Sequence, residues 1–95
     1  MRVVIEFDIR ADIIECPEII VPDLITYQDK FFEWLYNKNN DHDYWEYENG
    51  KKSCLCYRAD ALIEWLNTFV LDEEKAYMIK SGADTWDTSL PKLFF

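Results

Sequence analysis

The chain has 95 residues, of which 49% are hydrophobic and 17% aromatic, so it can bury one core but is too short for a second. That composition excludes an intrinsically disordered chain, and no run of about 18 apolar residues is present to cross a membrane. Nineteen acidic residues against ten basic ones give a net charge of −9, which disfavours nucleic acid and anionic membranes as direct partners. We predict a single globular domain over residues 1–95.

The amino-terminal stretch and the cysteines indicate the cellular compartment. Acidic residues interrupt the first twelve residues, MRVVIEFDIRAD, where a signal peptide would need an unbroken apolar run. The three cysteines, Cys16, Cys54 and Cys56, are an odd number, which fits reduced thiols better than a disulfide framework. We therefore expect a cytoplasmic protein.

The first predicted elements are a strand, a connection and a helix. Apolar residues at positions 3, 5, 7 and 9 alternate with mostly polar ones, which predicts a half-buried strand over residues 2–9. Pro17 and Pro22 interrupt the β-branched residues that follow, so residues 11–23 are predicted as an extended connection or a short edge strand. Pro22 and Asp23 then mark the start of a helix.

The apolar side of this first helix is broad. Its apolar positions extend well beyond the width that contact with one sheet requires. Either the helix is buried on two sides or part of its aromatic flank meets another chain, which makes residues 24–36 a possible homodimer interface. The apolar positions are Leu24, Phe31 and Leu35, with Tyr27 and Trp34 beside them, extended by Ile25, Phe32 and Tyr36.

A β-hairpin is predicted around Asn49 and Gly50, the pair that a type I′ turn favours because both of its central residues have positive φ. A two-residue loop with regular pairing would place one face of the hairpin inward and leave the other wetter. The predicted inward face holds Trp45, Tyr47, Cys54 and Cys56, and the wetter face holds Tyr44, Glu46, Glu48, Lys51, Ser53, Leu55 and Tyr57.

A second helix is predicted over about residues 59–70, with Asp60 favouring its amino terminus electrostatically. Residues 73–80 suit either a helix or a strand, and we favour a strand that returns to the sheet. The terminal LPKLFF predicts a last short strand with Pro91 at its start. The result is an α+β fold, in the order β-α-β-β-α-β, with a mainly antiparallel sheet and two helices on one side. The predicted buried face of the second helix contains Leu62, Ile63, Trp65, Leu66 and Phe69.

The residue groupings that could support catalysis or metal binding are weak. The single histidine, His42, could act as a base, but no nucleophile or cleft accompanies it, so we interpret it as an exposed loop residue. Together with Cys16, Cys54 and Cys56 it would complete a zinc ligand set, yet the four are scattered, and buried thiols are the simpler interpretation. Two glycines leave no phosphate-binding loop. We predict no enzymatic activity, no cofactor and no metal.

Binding to another protein is the remaining class of function. Carboxylates fixed on a rigid domain can take the places of phosphates in a basic nucleic-acid-binding site, and aromatic anchors would add affinity. We predict a DNA-mimic inhibitor of the anti-CRISPR or anti-restriction kind, which acts on a nuclease or other nucleic-acid-directed enzyme. The alternatives are an immunity protein for a nuclease toxin, a homo-oligomeric structural protein and a zinc or thiol site protein. Candidate contact residues are Asp41, Asp43, Tyr44, Glu46, Glu48, Asp72, Glu73, Glu74, Asp84, Trp86 and Asp87.

Overall fold

Six strands and two α-helices make up the computed structural model, which describes all 95 residues. The prediction of an α+β fold with two helices packed on one side of a mainly antiparallel sheet is confirmed. None of the helices has the length and apolar character to span a bilayer. The elements are β1 (Arg2–Glu6), β2 (Ala11–Glu15), a 3-10 helix (Glu18–Asp23), α1 (Leu24–Tyr36), β3 (Trp45–Glu48), β4 (Lys51–Leu55), α2 (Ala59–Phe69), β5 (Tyr77–Ala83) and β6 (Lys92–Phe94).

The main sheet has the strand order β5-β2-β1-β6, and only its β1–β6 pair is parallel. A second sheet consists of β3 and β4 alone. The predicted order β-α-β-β-α-β was wrong in one element, because it lacked β2. A strand does follow α2, as predicted, but it is β5 (Tyr77–Ala83) and not residues 73–80. The predicted terminal strand forms as β6, with Pro91 directly before it.

The first two strands differ from the prediction because the chain reverses direction early. β1 ends at Glu6, and the N–H of Phe7 donates to the carbonyl of Arg10 at 3.1 Å across a tight turn. Ile9, which the alternation assigned to the buried face, lies in that turn and is 90% exposed. β2 is an interior strand rather than a connection or an edge, and Pro17 follows its end, where it removes no hydrogen bond from the sheet.

Both faces of the main sheet are covered, by different parts of the chain. Val3 and Ile5 point towards the helices and belong to the main core. Val4 points the opposite way, yet it is also fully buried. Residues 84–91 connect one edge strand, β5, to the other, β6, and the carbonyl of Pro91 accepts a hydrogen bond from Val4 at 2.9 Å. Trp86 and Thr88 of this connection line a cavity with Glu6 and Lys92, which lie on the same side of the sheet as Val4. The connection therefore covers part of the second face, which explains the unbroken apolar run in β1.

The helices bury most of the residues that their periodicity indicated. Leu24, Phe31 and Leu35 of α1 are buried, as predicted. Ala59, Ala61, Leu62, Trp65 and Leu66 of α2 are buried against them, and each large side chain contributes about 1.5–3 kcal/mol of hydrophobic stabilisation. Phe69, which was predicted on the buried face, is 59% exposed because it lies in the last turn of α2, beyond the end of the core.

The broad aromatic arc of α1 is covered on both flanks within the chain. On one flank Phe32 packs against Phe95, with 5.5 Å between ring centroids. On the other flank Trp34 packs against His42, with 4.6 Å between centroids. The helix is therefore buried on more than one side. The predicted homodimer interface over residues 24–36 would rest on what remains exposed, chiefly Ile25 and Tyr36.

One carboxylate, that of Asp12 on β2, is completely buried. It accepts hydrogen bonds from the Arg58 Nη2 at 3.1 Å and from the backbone N–H groups of Ala59 at 3.0 Å and Gly82 at 2.8 Å. Gly82 has a φ of 67°, which glycine adopts without steric cost. A single side chain thus joins β2, β5 and the start of α2.

The environment of Asp12 favours its ionised form. Burial alone raises the pKa of this carboxyl, but the hydrogen bonds from Gly82, Arg58 and Ala59 and the positive charge of Arg58 outweigh burial. The pKa of Asp12 therefore lies below its usual value.

Replacing Asp12 with asparagine should destabilise the protein by on the order of 3 kcal/mol, because an amide NH2 would face other donors and Arg58 would lose its counter-charge. Urea denaturation followed by circular dichroism measures this loss. Asp8→Asn, an exposed site in the neighbouring turn, is the matched control and should change the unfolding free energy by less than about 0.5 kcal/mol. Equal stability of Asp12→Asn and wild type would show that this carboxylate does not hold the three elements together.

The lowered pKa of Asp12 also predicts how the unfolding free energy depends on pH. Since the folded-state pKa lies below the unfolded one, the carboxylate stabilises the fold above about pH 4, and this contribution is lost as the pH falls through the folded-state pKa. The unfolding free energy of wild type should therefore fall more steeply below about pH 4 than that of Asp12→Asn. Parallel pH profiles of the two proteins would contradict this assignment.

Candidate partner-binding surface

The tip of the β3–β4 hairpin forms as predicted. Asn49 and Gly50 have φ angles of 53° and 77°, and both values are positive, as a type I′ turn requires. The first pair beside the turn joins Glu48 to Lys51, which is also the predicted register.

Away from the tip the register shifts by one residue. Glu46 pairs with Cys54 and Trp45 pairs with Leu55, although regular pairing would have placed Ser53 opposite Glu46. Two residues of β4 therefore oppose one residue of β3, which is a β-bulge. Neighbouring side chains of a strand point in opposite directions. Beyond the bulge, each side chain of β4 therefore lies on the face opposite to the one that it would occupy in a regular hairpin.

The bulge overturns the predicted placement of the thiols. Cys54 and Cys56 were predicted to point inward, but both are exposed. Leu55 and Tyr57 were predicted on the wetter face, but both pack against the main core. The predicted faces of β3 hold for Trp45, which is 8% exposed. Tyr47 stays on the same side of β3 as Trp45, but it is 58% exposed near the hairpin tip, so its predicted burial was wrong.

The outer face of β3 presents two carboxylates, Glu46 and Glu48. Glu46 Oε2 accepts a hydrogen bond from the Cys54 Sγ at 3.2 Å, and Glu48 Oε2 accepts one from the Ser53 Oγ at 3.4 Å. Neither carboxylate takes part in any of the four ion pairs of the protein. Lys51 is the cross-strand neighbour of Glu48, but it forms no ion pair with that carboxylate, so both negative charges remain unpaired.

Tyr44 lies at the base of the same face, close to carboxylates from two segments. Burial, followed by the negative charges of Glu64, Asp60 and Asp43, raises the pKa of Tyr44 to about 12. Asp60 and Glu64 are four residues apart on α2 and so share one side of that helix. We call the combined surface the hairpin–α2 acidic surface, and it consists of Asp43, Tyr44, Glu46, Glu48, Asp60 and Glu64.

The two helix carboxylates were absent from the predicted contact residues. The signal for them was present, since Asp60 and Glu64 fall on the polar side of α2 at a spacing of four. What the sequence did not reveal is that this side of the helix adjoins the hairpin. That arrangement depends on contacts between distant parts of the chain.

His42 fixes the loop that leads into this surface. Its Nε2 lies 2.8 Å from the carbonyl oxygen of Leu35, and its Nδ1 accepts the backbone N–H of Tyr44 at 3.2 Å. Nδ1 is therefore the acceptor, and Nε2 carries the hydrogen that is donated to Leu35. The ring also stacks on Trp45 at 5.3 Å between centroids. The prediction of an exposed histidine was wrong, because the side chain is half-buried and joins the end of α1 to the hairpin.

Two of the other predicted contact residues are engaged in ion pairs. Asp41 pairs with Lys52, whose hydrogen bond and charge lower the pKa of that carboxyl. Asp84 pairs with Arg10 at 3.2 Å. Their negative charges are therefore partly neutralised within the chain.

The remaining predicted contact residues lie on other segments. Residues 72–74 are exposed in the turn between α2 and β5. Asp87 accepts the backbone N–H and the hydroxyl of Ser89, which lower the pKa of its carboxyl, and Trp86 is half-buried in the segment behind the sheet. No hydrogen bond or ion pair joins these residues to the hairpin–α2 acidic surface. The structure thus divides the predicted contact residues into three groups.

The four residues considered as zinc ligands do not meet. Cys16 is buried in the core, and burial raises the pKa of its thiol to about 11. Both ring nitrogens of His42 are engaged, while Cys54 and Cys56 lie on the outer face of the hairpin. No three side chains of His, Cys, Asp or Glu are arranged to hold a metal ion.

Comparison with known protein families, curated proteins and solved structures found no significant match. The surface described above therefore has to be interpreted from its own chemistry.

Replacing His42 with alanine should destabilise the protein by about 1–3 kcal/mol, because the Leu35 carbonyl and the Tyr44 N–H would lose their partners. Urea denaturation measures the stability, and hydrogen exchange of the Tyr44 amide should become faster. Asp43→Ala, an exposed neighbour, serves as the control for a change in this loop. Unchanged exchange at Tyr44 would show that His42 does not hold the loop in place.

Proposed function

We propose that the protein is a small acidic inhibitor without enzymatic activity, which acts in the cytoplasm by occupying a basic nucleic-acid-binding site on another protein. The observation that supports this proposal is the hairpin–α2 acidic surface. Its carboxylates come from a loop, a strand and a helix, and none of them is neutralised by an ion pair. Charges of one sign, held at fixed positions, are what a basic nucleic-acid site selects.

The spacing along β3 suits such a site. Glu46 and Glu48 are two residues apart on a strand, so their Cα atoms are separated by about 6.8 Å and their side chains point the same way. This distance is close to that between successive phosphates along one nucleic-acid strand. Side chains that bind two such phosphates could therefore bind these two carboxylates without rearrangement.

The hairpin is held against the body of the protein, which keeps the carboxylates in position. Trp45 is buried on its inner face, and the indole N–H donates to the carbonyl of Asn40 at 2.8 Å. Lys52 also lies on the inner side, where it pairs with Asp41 and lies 5.7 Å from the centre of the Trp45 ring. Lys52 therefore supports the hairpin from its inner side and forms no ion pair with Glu46 or Glu48. A preorganised surface loses less entropy on binding than a flexible acidic tail does.

The aromatic contribution to binding is expected from Tyr47. Its side chain is exposed near the tip of the hairpin, whereas Trp45 is used for packing. Tyrosine is enriched among the residues that dominate the affinity of protein interfaces. Tyr47 points to the opposite side of β3 from Glu46 and Glu48, so it would contact a partner from the edge of the hairpin tip, next to the acidic row.

An affinity capture tests the proposal. We expect the wild-type protein, immobilised and exposed to nuclease-treated lysate of its host, to retain a basic nucleic-acid-binding protein that a DNA or RNA duplex displaces. The variant Glu46→Lys/Glu48→Lys should lose this capture, because reversed charges repel a basic site. With the purified partner, the association rate should fall as salt is raised.

The matched control is Asp84→Lys/Asp87→Lys, which makes the same change in charge on a different segment. It should retain most of the capture, and circular dichroism should show that both variants are folded. Equal loss in both variants would indicate a general effect of net charge instead of a defined surface. Capture of nothing but further copies of this chain would overturn the proposal in favour of a homo-oligomer.

A further inference from the structure

The outer face of β4 presents two thiols. Cys54 and Cys56 are both free and both exposed, and they point the same way because they are two residues apart on an extended segment. The N–H of Cys56 donates to the carbonyl of Tyr44 at 2.9 Å, so the extended pairing continues beyond the end of β4. Leu55, between the two thiols, packs against the core and fixes this orientation.

The geometry of the strand determines whether the two sulfurs can form a disulfide or bind one metal ion. Residues two apart on an antiparallel strand have Cα atoms about 6.8 Å apart, which is at the upper limit of about 6.8 Å for a disulfide. An internal disulfide would therefore strain the strand. An ion with metal–sulfur bonds of about 2.3 Å on opposite sides bridges sulfurs about 4.6 Å apart. Ordinary rotamers of the two side chains reach that separation with the backbone unchanged.

The donor atoms select the kind of ion. Thiolates favour soft ions such as Cu(I) and Zn(II). A structural zinc site takes four ligands, and here no third side chain joins the two thiols in a metal-holding group. Cu(I) forms stable complexes with only two sulfur ligands, arranged linearly around the ion. We propose that Cys54 and Cys56 form a two-coordinate site for Cu(I).

The binding step is balanced without an oxidant. Two S–H bonds break, two sulfur–copper bonds form, and two protons leave for the solvent, while copper stays monovalent. Two neutral thiols are thereby replaced by a bis-thiolate copper unit with a charge of −1. Glu46 already accepts the Cys54 hydrogen at 3.2 Å and so lies where the first of these protons would leave.

An anaerobic titration tests the site. We expect the reduced protein to remove one Cu(I) per chain from a coloured Cu(I) chelator, measured by the loss of the chelator's absorbance. Cys54→Ser and Cys56→Ser should each weaken binding by at least about 100-fold, because each removes one of two ligands. Bound Cu(I) should also protect both thiols from alkylation, as mapped by mass spectrometry of the peptide over residues 52–58.

Two further variants serve as controls. Cys16→Ala removes the buried thiol and should bind Cu(I) like wild type, and Glu46→Gln should do so within a few-fold because its carboxylate is not a ligand. Circular dichroism checks the folding of each variant. One Cu(I) for every two chains would overturn the proposal in favour of a site between molecules. Unchanged binding by the Cys54→Ser/Cys56→Ser double variant, or failure of wild type to compete with the chelator, would also overturn it.

Discussion

The ion pair between Asp12 and Arg58 is the contact on which the placement of the other parts depends. Arg58 is the last of the three residues that link β4 to α2, so its position fixes where the helix begins after the hairpin. Asp12 holds it from the middle of the main sheet, while also binding the first N–H of α2 and the N–H of Gly82 in β5. The carboxylate of Asp12 in the main sheet thus determines the position of the hairpin relative to α2.

A buried ion pair of this kind specifies an arrangement more than it adds net stability. Removing two charges from water costs several kcal/mol per ion, and the attraction between them roughly offsets this cost when hydrogen bonds complete the site. Breaking the pair, by contrast, leaves a buried charge without a partner. Any packing of α2 that moves Arg58 away from the sheet therefore costs free energy, because it leaves the buried Asp12 carboxylate without its counter-charge. Asp12 binds Arg58 and the N–H of Ala59, and so fixes the start of α2, from which Asp60 and Glu64 approach Tyr44.

Basic side chains are used to support the fold, and the acidic side chains of the proposed binding surface are left unpaired. Three basic side chains, Arg10, Lys52 and Arg58, are engaged with carboxylates, and two of these pairs brace the sheet and the hairpin. The carboxylates of the hairpin–α2 acidic surface are left without such partners. Uncompensated like charges repel each other and lower the stability of the free protein. The closely packed aromatic core, in which Phe31 is fully buried, offsets this repulsion and lets the surface remain acidic.

Much of the fold could be predicted from the sequence, because its signals are local. The period of apolar residues revealed both helices, and Asn49-Gly50 revealed the turn of the hairpin. The turn after β1 contains neither glycine nor proline, so no typical turn residue indicated it. The strand residues on either side are buried on both faces of the sheet, so the alternation of apolar and polar residues did not indicate it either. The parallel pairing of β1 with β6 joins the two ends of the chain, and no local pattern encodes it.

The proposed binding surface could be predicted only in part, and the largest error in the hairpin comes from one residue, Ser53. Glu46 and Glu48 were assigned correctly to the outer face because β3 is regular. Ser53 adds one residue to β4, and nothing in its sequence distinguishes a bulge from a regular strand. That residue turns Cys54 outward beside Glu46, so the acidic row and the thiol pair share one face. Since Cu(I) bound by two thiolates would add negative charge there, the two proposed activities would reinforce each other towards a basic partner.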